Sequence, residues 1–190
     1  MPNKERVTVD IPTVEQVESE LKRIKYKRSF FRTLVNTATS VAAVAAVSVL
    51  LSMIFFPVIQ VSGDSMTPTL DDGDILVTYH SNDVTYGDLC CLSWQNKTLL
   101  KRVIGLPGDV ISIDADGNVF VNQELIDEPY VIEKSLGDCD ISFPYEVPDR
   151  KVFILGDNRT LSVDSRNTDI GCIDKEQIIG KVMFRIWPLN

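Results

Sequence analysis

From Leu34 to Phe56 the chain reads LVNTATSVAAVAAVSVLLSMIFF, and no charged residue stands between positions 33 and 63. As a helix this stretch would reach about 34 Å, against a bilayer hydrocarbon core of roughly 30 Å. A small soluble domain seldom carries so long an uncharged run in its core, and a cleavable export signal has an apolar core of only about 7–15 residues. The run therefore predicts a retained membrane anchor in contact with lipid. It divides the chain into three expected parts: residues 1–32 as an N-terminal segment, 33–61 as the anchor and 62–190 as a folded domain.

Charge on the two flanks sets the expected orientation. The tract KRIKYKRSFFR at 22–32 is basic with no acid, whereas the far side begins with Asp64, Asp71, Asp72 and Asp74. The bias of positive charge toward the cytoplasmic side keeps the N-terminus inside and sends the C-terminal domain across the membrane. Residues 64–190 carry 11 Lys and Arg against 22 Asp and Glu. So acidic a domain excludes nucleic acid as a partner, because phosphate binding needs clustered positive charge.

Before the anchor, Val14, Val17, Leu21 and Ile24 recur at spacings of three and four, the stripe of a short helix. Thr13 with Gln16 forms a capping-box pattern at its start. Beyond the anchor the pattern changes to short runs rich in Val, Ile and Leu, separated by Gly, Asp, Asn and Pro. These predict strands at 75–79, 89–94, 99–106, 110–114, 119–122, 152–155 and 178–186, with DADGN as a hairpin turn and a loop-rich insertion at 125–150. The expected fold is mainly β, carrying one N-terminal transmembrane helix. Cys90 and Cys91 are adjacent on a strand, so their side chains leave opposite faces and do not bridge each other. A disulfide between Cys139 and one of the others, Cys172 included, stays open. With no CxxC pair and one histidine, the spacing supports no zinc site.

Chemistry enters at GDSMTPTL, residues 63–70, where Ser65 follows shortly after the anchor. A serine hydroxyl needs a neighbouring base to become a nucleophile. The one histidine, His80, lies in a turn-like tract, TYHSND, and reads as a solvated residue. Lys101 lies instead within the apolar strand sequence TLLKRVIGL. Alternation turns Lys101 and Arg102 to opposite faces, so one of them faces the apolar side. A lysine there loses hydration, and its neutral amine becomes able to take a proton.

The three tracts GDSMTPTL (63–70), LKRVIGLPGD (100–109) and GDNRTLSVDSR (156–166), in that order after an N-terminal anchor, resemble the type I signal peptidases. The resemblance runs from the span to the last strand. It implies a signal-peptidase-like β domain of coiled antiparallel sheets outside the cytoplasm, with Ser65 as nucleophile and Lys101 as general base. The Ser65 amide is then an oxyanion-hole donor. Some members add a hydroxyl two residues earlier, but here that position is Gly63, and Ser62 is out of register. The resemblance further implies that Ser162 bonds the lysine amine, and that Asp164 and Arg166 form a supporting polar pair. Asp157 and Arg159 lie nearby and Arg102 is a further supporting residue, although Arg159 also reads as an ordinary solvated loop charge. Met66 is a candidate wall of the substrate pocket.

The implied substrates are the signal peptides of exported preproteins, cleaved by acyl transfer without metal or organic cofactor. Small residues are expected just before the cut and two residues earlier, with the extended substrate pairing to an exposed strand edge. Nine positions separate Phe56 from Ser65, a link of at most about 32 Å even fully extended, which keeps the site close to the membrane surface. Three other readings compete: a self-cleaving repressor-type domain, which calls for a soluble chain; a non-catalytic assembly factor for surface structures, which would lack the serine or the lysine; and a plain anchored binding domain, which leaves the three polar tracts without a use.

Overall fold

A computed structural model describes residues 12–95 and 97–188; residues 1–11, the start of the expected N-terminal segment, lie outside the described residues. Helix α1 runs from Val14 to Phe55, 42 residues without a break. The capping box forms at its start, with Thr13 N donating to Gln16 Oε1 at 2.9 Å and Gln16 N donating to Thr13 Oγ1 at 3.4 Å. The short helix and the anchor expected from the sequence are thus one helix. No Gly or Pro interrupts residues 13–56, and Pro57, which cannot donate to a continuing helix, follows its end. None of its residues is buried. Along the apolar part, Thr37, Ser40 and Ser48 donate their hydroxyls back to the carbonyls of Thr33, Asn36 and Val44. That leaves fewer polar groups unsatisfied on a surface suited to lipid.

The chain divides into two compact units between Leu51 and Ser52. The second is built from eleven strands among the described residues: β1 (Val58–Gln60), β2 (Ile75–Tyr79), β3 (Leu89–Trp94), β4 (Lys97–Gly105), β5 (Val110–Ile113), β6 (Val119–Val121), β7 (Glu124–Leu125), β8 (Tyr145–Glu146), β9 (Lys151–Leu155), β10 (Ile173–Asp174) and β11 (Ile178–Trp187). All pairings are antiparallel. Seven strands form one sheet in the order β1-β2-β11-β3-β4-β9-β10, and four form another in the order β7-β6-β5-β8. The expected anchor boundary at 61 moves earlier, because β1 pairs residue by residue with β2 and Val61 is buried in the core. β7 and β8 fall at the edges of the stretch expected to be loop, where two-residue strands leave too short a pattern to detect.

Burial follows from this pairing. Ile111, Val119, Phe153 and Leu155 fill one core region. Cys90, Leu92, Val103 and Ile154 fill a second, and Val61, Met66, Leu70 and Leu76 a third under the β1–β2 connection. From Lys101 to Gly105 every residue of β4 is buried. Both faces of the strand are therefore covered, and Lys101 and Arg102 are enclosed together although they alternate. The described cysteines are all free thiols.

Candidate active site

Ser65 sits in the connection between β1 and β2, and local bonds fix that connection. Gly63 adopts φ +88°, a left-handed conformation that favours glycine, and its N–H donates to Asp72 Oδ1 at 2.8 Å. Thr67 donates its hydroxyl to Asp64 O at 2.8 Å, and Leu70 N donates to Met66 O at 3.0 Å. Met66, 1% exposed, plugs the loop into the third core region beside the half-buried Ser65. The Met side chain is thus an anchor as well as a lining residue.

Lys101 pairs with Cys90 across the β3–β4 ladder and is 3% exposed. Its Nζ lies 2.7 Å from Ser65 Oγ. Burial pushes the Lys101 pKa below the ordinary lysine value; the Asp164 carboxylate opposes that shift, the Arg166 guanidinium adds to it, and the Asp157 carboxylate opposes it more weakly. His80 is exposed, with Nδ1 2.7 Å from Ile179 O, and belongs to no such pair.

The tract after β9 wraps this pair in buried polar groups. Arg166 donates from Nε to Asp164 Oδ1 at 2.8 Å and from Nη2 to Asp164 Oδ2 at 2.9 Å, and both side chains are fully buried. Asp164 also accepts the Gly156 amide at 3.0 Å. Arg102 donates to both oxygens of Asp157, at 2.8 and 2.6 Å, and Asp157 accepts the Thr69 hydroxyl at 2.5 Å. Asn158 N donates to Ser65 O at 3.1 Å, and its side-chain amide donates to Thr67 at 3.0 Å. The third tract therefore grips the loop that carries Ser65, at Ser65, Thr67 and Thr69.

Two residues depart from the sequence-based expectations. Ser162 is buried, but its hydroxyl has no hydrogen-bond partner among the described residues, so the expected bond to the lysine amine is not formed. Instead Ser162 Oγ and Ser65 O both crowd the Cα of Gly156: a Cβ there would lie 2.2 and 2.5 Å from them. Arg159 is not a solvated loop charge, since it is 1% exposed and forms a buried ion pair with Glu128. Sequence reasoning missed Glu128 altogether. The available hint was physical, that an arginine drawn inward needs a carboxylate somewhere in the chain.

A cavity of about 320 Å³ adjoins Ser65 and Lys101 and is lined by residues including Ile59, Val61, Met66 and Leu100. Two strand edges border it. β1 ends its sheet, and β4 pairs with β9 only from Arg102 onward, so residues 98–101 have one edge without a strand partner among the described residues. Another hollow, about 440 Å³ and lined by Tyr86, Val103, Leu125 and Tyr130 among others, contains no Ser, Cys or Lys. Among the described residues no three His, Cys, Asp or Glu side chains are grouped to hold a metal ion.

A serine beside a buried amine, on antiparallel sheets that follow one long apolar helix in the chain, defines a class of proteins that comparison with known ones narrows. The profile of the family described as Signal peptidase, peptidase S26 matches residues 34–187. Signal peptidase I of Bacillus amyloliquefaciens is 34% identical over 182 residues, covering 90% of this chain and 97% of that protein. Signal peptidase IB of Staphylococcus aureus (strain COL) is 36% identical over 151 residues, covering 68% of this chain and 77% of its own. The crystal structure of a signal peptidase I from Enterococcus faecalis V583 aligns at 23% identity with a TM-score of 0.45, covering 53% of this chain and 97% of that one. The chain belongs to the signal peptidase family, peptidase S26.

Proposed function

We propose that this chain is a membrane-anchored serine endopeptidase that removes signal peptides from exported preproteins, with Ser65 as nucleophile and Lys101 as general base. The observation that carries it is the 2.7 Å approach of Lys101 Nζ to Ser65 Oγ, where burial lowers the pKa of the amine. Ser65 Oγ attacks the scissile carbonyl carbon as its proton passes to Lys101 Nζ. The Ser65 amide supports the oxyanion. Collapse breaks the C–N bond, and the Lys101 ammonium returns its proton to the departing amine. Water, losing a proton to Lys101, then attacks the ester and releases the signal peptide as a carboxylate, and Ser65 regains its hydroxyl.

The supporting residues have distinct parts in this scheme. The buried Ser162 hydroxyl, with no bond of its own, is the acceptor for a second N–H of the ammonium that forms on Lys101. Asp164 with Arg166, and Asp157 with Arg102, hold the backbone around both reacting groups. An extended substrate seated in the cavity pairs with the free edge at 98–101, and Met66 limits the side chains that fit before the cut.

Membrane attachment follows from the apolar helix, and the basic tract before it favours a cytoplasmic N-terminus with the β domain outside. Within the β domain, Val58, Val77 and Phe184 share one rung, with Val58 and Phe184 exposed, and Trp187 is exposed on the same strand as Phe184. Val58 closely follows the apolar helix in sequence, and apolar groups so exposed support work at a lipid surface, where substrate and enzyme share one membrane. A non-catalytic assembly role is not favoured. It would leave a buried amine against a serine hydroxyl with desolvation cost and no use.

The test is cleavage of a preprotein by the full chain in detergent. Ser65→Ala and Lys101→Ala are each expected to lose turnover by about 10³-fold or more while circular dichroism and melting stay those of a folded domain. Retained turnover in purified Lys101→Ala would overturn the mechanism.

A further inference from the structure

The segment after β7, IDEPYVIEK at 126–134, lies outside the three tracts, yet it carries the two side chains that back the third tract from behind. Glu128, 4% exposed, accepts from Arg159 with both oxygens, from Nη1 at 3.1 Å and more closely from Nη2. Arg159 in turn donates from Nε to Gly156 O at 3.1 Å. The Tyr130 hydroxyl donates to Glu128 at 3.2 Å, and the Arg102 guanidinium stacks 3.8 Å from the centre of the Tyr130 ring. Arg102 is also the partner of Asp157. Residues 156–158 are therefore held at two points by residues 128 and 130. Two of them, Asp157 and Asn158, hold Ser65 O, Thr67 and Thr69 on their other side.

We propose that Glu128 is a positioning residue for the reaction, acting through Arg159 and the 156–158 backbone to fix Ser65 opposite Lys101. The inference rests on the peptidase function proposed above. Glu128 touches no reacting atom. What it supplies is the carboxylate that a buried guanidinium demands: Arg102 takes Asp157, Arg166 takes Asp164, and Arg159 takes Glu128. Of the three carboxylates, Glu128 alone comes from outside the third tract, so it ties a separate segment to the catalytic loop.

Two variants separate positioning from plain stability. Glu128→Gln keeps the shape but leaves the Arg159 charge uncompensated. The double variant Glu128→Leu with Arg159→Met removes both charges and restores apolar packing, a replacement that buried ion pairs commonly tolerate. Each is assayed in detergent, well below its own melting midpoint, beside the parent chain. Positioning predicts that kcat falls roughly 10²-fold in both variants with KM changed little, because a small misplacement of reacting groups is enough for such a loss. It also predicts that the Lys101 amine, followed by NMR titration, moves toward ordinary lysine behaviour as the loop loosens and water enters. The titration needs no turnover, so an inactive parent would count against the peptidase function while still testing the role of Glu128. A double variant with parental kcat and parental titration overturns the proposal. So does a failure of both variants to fold, which would make the pair structural alone.

Discussion

Lys101 Nζ stands 2.7 Å from Ser65 Oγ, and the lysine that carries it is 3% exposed. The two residues come from different elements, 36 positions apart, and their meeting ties the chemistry of the chain to the packing around β4.

Turnover is expected to depend on pH through this amine. In the proposed mechanism Lys101 takes the Ser65 proton only when uncharged, and burial holds its pKa below the ordinary lysine value. A kcat/KM series against pH is expected to fall as pH drops through the lowered pKa and to level off before the ordinary lysine value of about 10.4. A rise that continues to that value would count against the dyad.

The same shift has a stability consequence with a defined sign. The unfolded chain binds a proton on Lys101 more tightly than the folded one does. The resulting cost is full below the folded pKa and fades as pH rises toward the unfolded value, about 10.4. Lys101→Met is expected to melt above the parent at neutral pH, with the gap narrowing in alkaline buffer. A gap that does not vary with pH would remove the buried amine as its cause.

Gly156 offers a steric test. An alanine Cβ there would stand 2.2 Å from Ser162 Oγ and 2.5 Å from Ser65 O, both too close to tolerate. Gly156→Ala is expected to displace the loop that carries Ser65 and lower kcat by roughly 10²-fold. Steady-state kinetics with a preprotein check this, and a parental kcat would show that the loop accommodates the methyl group without displacing Ser65.

Asp164 bears on stability and on catalysis at once. Removing its charge leaves Arg166 buried without its ion-pair partner, a loss of about 3–5 kcal/mol for a pair of this kind. For a chain of this size that is a drop of roughly 6–20 °C in Tm. The Asp164 carboxylate also raises the Lys101 pKa against the effect of burial. Asp164→Asn is therefore expected to melt lower and, assayed while folded, to move the rising limb of kcat/KM to lower pH.

Much of the fold was legible because its signals are local. Apolar length marked the long helix, and the absence of Gly and Pro from residues 13–56 already allowed it to be single, although the change from charged to uncharged sequence suggested two parts. Alternating apolar residues located β2 and β3 to the residue. β1 was concealed by its place at the end of the apolar run, where strand and anchor residues have the same composition. Ser65 and Lys101 stood out because each sits in an unusual local setting.

Residue order and hydropathy determined the long apolar helix, the main strands and the two candidate reacting side chains, since each depends on neighbours close in the chain. Packing alone decided which charges meet. Arg159 and Glu128 are 31 positions apart and Arg102 and Asp157 are 55 apart, and their pairing exists only after two sheets and a long connection have enclosed them. A buried charge takes whichever opposite charge the fold brings within reach, and that choice is a property of three-dimensional distance.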